Sequence, residues 1–376
     1  MQKKLIALAV ATAFSAPAFA DNANVTFYGK AFLTLDSINS DQTGAISKAR
    51  VNSNASRFGI KGSEDLGEGL KAIYQFEVQV DGDGSGGNGF GNGSRNTAVG
   101  LAGGFGELTM GNWDTPYKVT HNKTELFDNT TVWSATNLIG RANQGKVSFV
   151  TRQKNMIQYK SPSLGGVKLA AMYSPDEAKG TPASTTTISG TDAGGNATSI
   201  TTTTAGSLYN KSILSLSATY DQDGIYAAFG YENRPDQTTI GQTDNAMRLV
   251  GRYDFGSAWL GATVERIKVN TSASASYTES NMELVGAVKF DANSIALSYA
   301  KDGKAATDNT GATQVSLRYG YNFSKRTELF AAYASLKNDS AAKFGKIYSG
   351  VNSALTSGTT TGATESAIGF GLIHSF

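Results

Sequence analysis

The chain has 376 residues, no cysteine, six prolines, 43 glycines and 33 basic against 31 acidic side chains. A disulfide-stapled scaffold is excluded, and no stretch beyond the N-terminus approaches the ~18 consecutive apolar residues of a membrane-crossing helix. The near balance of charge argues against a nucleic-acid partner, while the 16 tyrosines and 18 phenylalanines suit many short strands punctuated by turns.

Met1–Ala20 reads as a secretory signal peptide: Lys3 and Lys4, an apolar run from Leu5 to Phe14, and an Ala18-Phe19-Ala20 cleavage site. Cleavage leaves a chain starting at Asp21, and loss of the two lysines takes the net charge from +2 to 0.

The first run beyond it alternates. Val25, Phe27, Ala31, Leu33 and Leu35 fall on one face, and Thr26, Tyr28, Lys30 and Thr34 on the other. That is a strand with one oily and one wet face. A polar loop is expected over Asn39–Ser53. The second strand, Asn54–Glu64, sets Phe58 and Ile60 against Arg57 and Lys61. After a tight turn, Leu70, Ala72, Tyr74, Phe76 and Val78 oppose Lys71, Gln75, Glu77 and Gln79. From here the connections alternate between long and short. The long ones include the glycine-rich Asp81–Ser94 and the Thr/Ser/Gly tract from Pro175 to Tyr209, and the last is Asn338–Ala363. This predicts about sixteen strands of roughly ten residues, the length of a tilted strand crossing a membrane.

One stretch does not alternate. Gly111–Asn155 carries Trp113, Phe127, Trp133, three acids (Asp114, Glu125, Asp128), the bases Arg141, Lys146 and Arg152, and His121. Long irregular segments in compact domains are functional or disordered, and its large apolar residues argue for a loop folded into the interior.

The oily faces cannot all point into a sandwich, because the opposite faces carry Lys30, Arg57, Lys61, Arg95, Arg248, Arg252, Glu283 and Arg318. A closed antiparallel β-barrel places the oily face on lipid and the charged face on water, with no open edge. An even strand count puts both termini at the short-turn end. A soluble sandwich or β-helix would also alternate, but would not impose the long/short rhythm. The face assignment makes Leu317 and Phe370 intolerant of Arg, and Ser316, on the wet face, tolerant of it.

Other constellations are weaker. Asp81-Gly82-Asp83-Gly84-Ser85-Gly86 mimics the start of a calcium loop, but the twelfth position is Asn92 rather than Glu. A glycine-rich surface loop is the better reading of these residues alone. An enzyme needs a converging nucleophile and base. Of two histidines, His374 lies on the oily face and His121 has no evident Ser/Asp partner in the sequence, so no catalytic residue, metal site or cofactor is expected.

The final strand, Thr364–Phe376, places Ile368, Phe370, Leu372 and His374 on the face of its C-terminal Phe376, as outer-membrane barrels do. Together with Phe27-Tyr28-Gly29-Lys30-Ala31, the run Ser56-Arg57-Phe58-Gly59-Ile60-Lys61-Gly62-Ser63-Glu64-Asp65-Leu66-Gly67, the run Arg95–Leu101 with Gly104–Leu108, and Tyr159-Lys160-Ser161-Pro162, it makes the mature chain resemble a proteobacterial general porin. The resemblance implies a sixteen-stranded barrel in the outer membrane among lipid and lipopolysaccharide, a homotrimer, and passive passage of ions and small hydrophilic solutes. A substrate-specific channel, or a barrel enzyme, is the alternative. It also implies that the glycine-rich second long loop, Asp81–Ser94, contacts a neighbouring subunit, and that the third long loop, about 112–155, folds inward. Asp114, Glu125 and Asp128 are then candidates for the acidic side of the eyelet, and Lys30, Arg57, Lys61, Arg95, Arg141 and Arg152 for the basic side. The loop-tip Pro-Glu-Phe-Gly-Gly of enteric members is absent, leaving open which acids face the arginines. Cations on neighbouring strands, with fewer certain acids opposite, lead to an expected modest anion preference.

Overall fold

A computed structural model describes residues 24–42, 48–84, 90–129, 131–177, 179–181, 183–192, 194–344 and 361–376. The expected leader, 1–20, lies outside the described residues. The main sheet contains eighteen hydrogen-bonded segments. Two strands are each interrupted once, so the number of strands is sixteen: β1 (Asn24–Ser40), β2 (Lys48–Ser53 and Arg57–Gly67), β3 (Leu70–Val80), β4 (Phe90–Ser94 and Thr97–Gly103), β5 (Gly106–Asp114), β6 (Arg152–Lys160), β7 (Val167–Ser174), β8 (Ile213–Gln222), β9 (Ile225–Pro235), β10 (Thr243–Asp254), β11 (Ala258–Asn270), β12 (Ser276–Phe290), β13 (Asn293–Asp302), β14 (Ala312–Asn322), β15 (Thr327–Asn338) and β16 (Thr364–Ser375). Each pairs antiparallel with the next. β16 pairs with β1 from Lys30↔Ser375 to Ser40↔Glu365, closing the barrel. Phe376 completes the seam by exchanging both backbone hydrogen bonds with Gly29 (3.0 and 3.1 Å). Closure leaves no unpaired sheet edge, which a lipid environment requires.

Alternation sorts the side chains as expected. Leu297, Leu317 and Phe370 are about half exposed on the outer face (52%, 47% and 58%). Glu265, Glu283 and Arg248 point inward and are buried. At the short-turn end, the outer face closes with aromatic pairs, Tyr253–Phe255 and Tyr321–Phe323, at ring separations of 4.6 and 5.0 Å. That is the interfacial girdle of a membrane barrel.

Two irregularities correct the sequence reading. The polar loop expected up to Ser53 already contains the first segment of β2, paired with β1 over Lys48–Ser53. The strand breaks at Asn54–Ser56, where Ala55 has φ +50°. There the Ser56 hydroxyl accepts from the Phe32 N–H (2.9 Å) and donates to its carbonyl (3.1 Å), so neither backbone group is orphaned. In β6, a bulge between Gln153 and Met156, with Asn155 at φ +51°, shifts the register against β5. It erases the alternation there. The ladder therefore runs to Asp114 and resumes at Arg152, and the irregular segment is 115–151 rather than about 112–155. The Thr/Ser/Gly tract also gains structure: Ser184–Thr191 and Ala197–Thr204 form an exposed two-stranded ribbon.

Most buried apolar side chains lie inside the barrel. Phe127, Val132, Trp133, Leu138 and Ile139 of the 115–151 segment pack with Phe32, Phe330, Ala334, Leu336 and Ala367 of the wall. Ser316 is inward-facing, as assigned, but buried, with its hydroxyl donating to the Trp133 carbonyl (2.8 Å). The expected tolerance of Arg at Ser316 is thus overturned. The wet face is not wet beneath the loop.

Candidate functional site

The 115–151 segment leaves β5 through a short helix, α1 (Pro116–Val119). Thr115 caps it, its hydroxyl accepting from the Lys118 N–H (3.2 Å), and Pro116 fills the first turn, where no N–H is needed. α1 delivers Tyr117 to β10 and β11. Its hydroxyl donates to Glu265 Oε2 (2.9 Å), which also accepts from Arg248 Nε (2.9 Å) and Nη2 (2.7 Å). The Arg248 guanidinium lies 4.2 Å over the Tyr117 ring. Glu265 Oε1 accepts from the Gly140 N–H (2.5 Å) and Asn281 Nδ2 (2.9 Å), so both carboxylate oxygens are saturated.

Further along, His121 Nε2 meets Glu283 Oε2 at 2.6 Å, Trp133 Nε1 donates to the Ala367 carbonyl (3.1 Å), and Gln314 donates to the Trp133 and Ser134 carbonyls (3.1 and 3.0 Å). The segment is tied by side-chain hydrogen bonds to the inward faces of β10–β12, β14 and β16. His121 does have an acidic partner, but Glu283 arrives from 162 residues away.

The other side is a chain of ion pairs. Asp128 Oδ2 accepts from Lys30 Nζ (2.8 Å) and Arg57 Nη1 (3.2 Å). Arg57 Nε stands 3.8 Å from Glu77, which also binds Arg95 Nε at 2.7 Å. Asp114 pairs with Lys118 (2.7 Å) and Arg152 (3.2 Å), and Arg152 Nε donates to Asn96 (2.6 Å). These side chains are 8–32% exposed, so they border water yet are partly shielded. Burial alone pushes the Asp128 carboxyl up, but Lys30 and Arg57 outweigh it and hold the group below the usual carboxylate range. Asp128 is therefore a charged acid at neutral pH.

The structure thus gathers Lys30, Arg57, Arg95, Arg152, Asp114 and Asp128. Three expected members stand apart. Lys61 lies 5.3 Å over the Tyr28 ring, beside the short-turn end. Arg141 donates to the Thr136 carbonyl (2.6 Å), and its own carbonyl accepts from Asn281, near the anchoring side. Glu125 is buried and accepts from the Phe127 N–H (2.8 Å) and the Ser134 hydroxyl (3.0 Å). Burial raises its carboxyl to about 7, Glu283 adding to the shift and His121 opposing it. It belongs to the packing of the loop, not to the charged wall. Sequence reasoning misses Glu77 and Lys118. A signal for Glu77 exists: an acid at a wet position of β3, on a sheet face shared with Arg57 and Arg95. In the glycine-rich loop, Asp81 accepts from Gln79 (2.7 Å) and Asp83 from the Ser53 N–H (3.1 Å), while residues 85–89 lie outside the described residues. Among the described residues, no group of three or more His, Cys, Asp or Glu side chains is arranged to hold a metal.

A family model described as Gram-negative porin matches residues 7–341. The chain belongs to the Gram-negative porin family. The outer membrane porin protein 32 of Delftia acidovorans is 31% identical over 383 residues, covering all of both chains. The major outer membrane protein P.IB of Neisseria lactamica is 26% identical over 367 residues, spanning 91% of this chain and 95% of that one. The solved structure of an anion-selective porin from Comamonas acidovorans superposes with a TM-score of 0.77 at 25% identity, covering 94% of this chain and all of the other. This porin is accordingly an outer-membrane barrel whose function is that of a general diffusion channel. A porin's water lies inside the barrel, so the inward face borders water and the outer belt borders lipid.

Proposed function

We propose that the 115–151 segment narrows the pore and that its constriction favours small anions over cations. The observation carrying this is the charge count along the ion-pair chain. Five cations (Lys30, Arg57, Arg95, Lys118, Arg152) face three carboxylates (Glu77, Asp114, Asp128), an excess of two positive charges. Glu125 adds no firm charge, because burial raises its carboxyl to about 7. Partly shielded charges within a Debye length of ~8 Å of one another act as one field. Asp128 on the loop, set against Lys30 and Arg57 on the wall, also gives the field a transverse component, which orients dipolar solutes. The Comamonas acidovorans relative is an anion-selective porin, in line with this reading.

The test is the zero-current potential of the reconstituted protein across a salt gradient. Arg57→Gln with Arg95→Gln removes two positive charges and cancels the excess. The anion preference should vanish and the conductance change, with the barrel still folded. An unchanged potential would place the selectivity elsewhere on the inner wall. Export through cleavage after Ala20, insertion among lipopolysaccharide and assembly as a homotrimer complete the proposal. They rest on the N-terminal sequence and on family membership. Cross-linking in mild detergent should trap three subunits, and a monomer under every detergent condition would refute the trimer.

A further inference from the structure

Inside the barrel, between the ion-pair chain and the short-turn mouth, the wall from β1 to β6 forms a recess of ≈ 400 Å³. The register brings its residues together. Lys61 of β2 lies opposite Gln75 of β3, which lies opposite Ala98 of β4. Ile73 sits two residues nearer the mouth on the same face of β3. On β5, Glu107 and Trp113 share the inward face, and Lys160 of β6 lies opposite Glu107.

The recess combines an aromatic plate, an apolar floor and loosely paired cations. Trp113 packs back on Ala98, Met156 and Met172, so the indole is held in place before anything lands on it. Ile73 and Ala98 line the space between the two lysines. Lys160 Nζ stands 5.2 Å over the Trp113 ring and meets Glu107 at 3.4 Å, a long contact between side chains that are 38% and 46% exposed. Such a pair contributes little and is easily exchanged. Lys61 is exposed, rests 5.3 Å over the Tyr28 ring, and has no hydrogen-bond or ion-pair partner among the described residues. Glu107 is the one acid among the lining residues, so two lysines face one carboxylate and the recess carries a net charge of +1. A concave, mostly apolar space of this size with a few placed polar groups is the form of a small-molecule site.

We propose that the recess binds small aromatic carboxylates, the ring against Trp113 and Ile73 and the carboxylate on the Lys160 ammonium in place of Glu107, with Lys61 at the far rim. The class follows from the lining. A flat apolar body suits the indole plate, and a single negative charge matches the net charge of the recess. An aliphatic acid leaves the indole uncovered, and a neutral arene gains nothing from the lysines. The inference rests on the barrel interior being a water-filled path and does not depend on the charge excess at the ion-pair chain.

Block of single-channel current by benzoate, present on both sides of a bilayer holding the full-length protein, tests it. Half-block should need about fivefold less benzoate than acetate or benzyl alcohol, the size of one aromatic contact. Trp113→Leu should erase that advantage, and Trp113→Phe, which keeps a ring, should retain part of it. Lys160→Gln should raise the half-blocking concentration. Glu107→Gln, which removes the competing carboxylate, should lower it, a direction that loss of packing does not produce. Lys325→Gln, in a short turn outside the recess, should leave it unchanged. Equal block by benzoate and acetate in the wild type, or a benzoate advantage that survives Trp113→Leu, would overturn the proposal. So would a block abolished by Arg57→Gln with Arg95→Gln but untouched by Lys160→Gln, which would put benzoate at the ion-pair chain. If Trp113→Leu fails to assemble, Lys160→Gln and Glu107→Gln, with their opposite expected signs, decide the matter. The zero-current potential of the same channels without benzoate reports the selectivity reading separately.

Discussion

The two sides of the barrel interior use the same residue types to opposite ends. Around Glu265, on the β10–β12 side, Arg248 and its carboxylate partner are both fully buried and every carboxylate oxygen is bonded. Around Asp128, on the β1–β4 side, the partners are 17–32% exposed, and the carboxylate is shared by two cations. The first side packs the loop, and the charges of Arg248 and Glu265 offset each other. The second side presents a charge excess to water. A charge acts on solute only where it is incompletely paired and near solvent, so the proposed selectivity rests on the β1–β4 side and the packing of the loop on the β10–β12 side.

The largest effect should come from breaking the dry side. Arg248→Leu strands Glu265 as a buried, uncompensated charge, a loss of about 3–5 kcal/mol. The thermal midpoint of the folded barrel should fall, and the released loop should make single-channel currents larger and noisier. An unaltered midpoint with quiet currents would mean that this pair does not anchor the loop.

A smaller effect is expected where the dry side titrates. The folded-state carboxyl of Glu125 stands at about 7, above its ordinary value of 4.5. Folding therefore favours the protonated form. The stabilisation is fully present below about pH 4.5 and is lost as pH rises through about 7. Between pH 5 and 8 the wild type should lose on the order of 2 kcal/mol that Glu125→Gln keeps. Parallel pH–stability curves for the two proteins would show that another group titrates.

Glu125 and Asp128 also show what the sequence could not convey. Both are acids of the same loop, three residues apart, and sequence alone makes both candidates to face the basic wall. Asp128 and Asn129 adopt φ +60°, and Glu125 lies under Ser134 and beside His121. Which acid reaches Lys30 is decided by that turn and by partners 71 and 98 residues distant. The barrel itself was legible, because a period of two with one oily face depends only on local side-chain direction. Its exceptions were not. The bulges at Ala55 and Asn155 insert a residue and reverse the parity, so the strand ends they flank have the pattern of loop. Nor could alternation reveal that Ser316, on the water side, would be sealed beneath Trp133.

On the wet side, single changes should alter current more than stability. Asp128→Asn removes one of three carboxylates and raises the positive excess from two to three. The zero-current potential should move further toward anions. Because the carboxylate is about one-third exposed, its pairing with Lys30 and Arg57 is screened, and the stability change should stay within about 1 kcal/mol. A shift toward cations would mean that Asp128 holds the two cations in the solute path, and that releasing them outweighs the lost negative charge.

The smallest effect tests where the wet side ends. Lys61 shares the inward face of β2 with Arg57, and alternation alone makes both part of the eyelet. Four residues separate them, ~13 Å along the strand, beyond a Debye length of ~8 Å. Lys61 lies over Tyr28, whose hydroxyl donates to Glu77 (3.1 Å), so its contact with the ion-pair chain is indirect and passes through a ring. Lys61→Gln should leave the zero-current potential within experimental scatter, while Arg57→Gln, deeper in the barrel, shifts it. Equal shifts from the two variants would extend the selective zone to the short-turn mouth and make the field a property of the whole β1–β4 wall rather than of its contact with the loop.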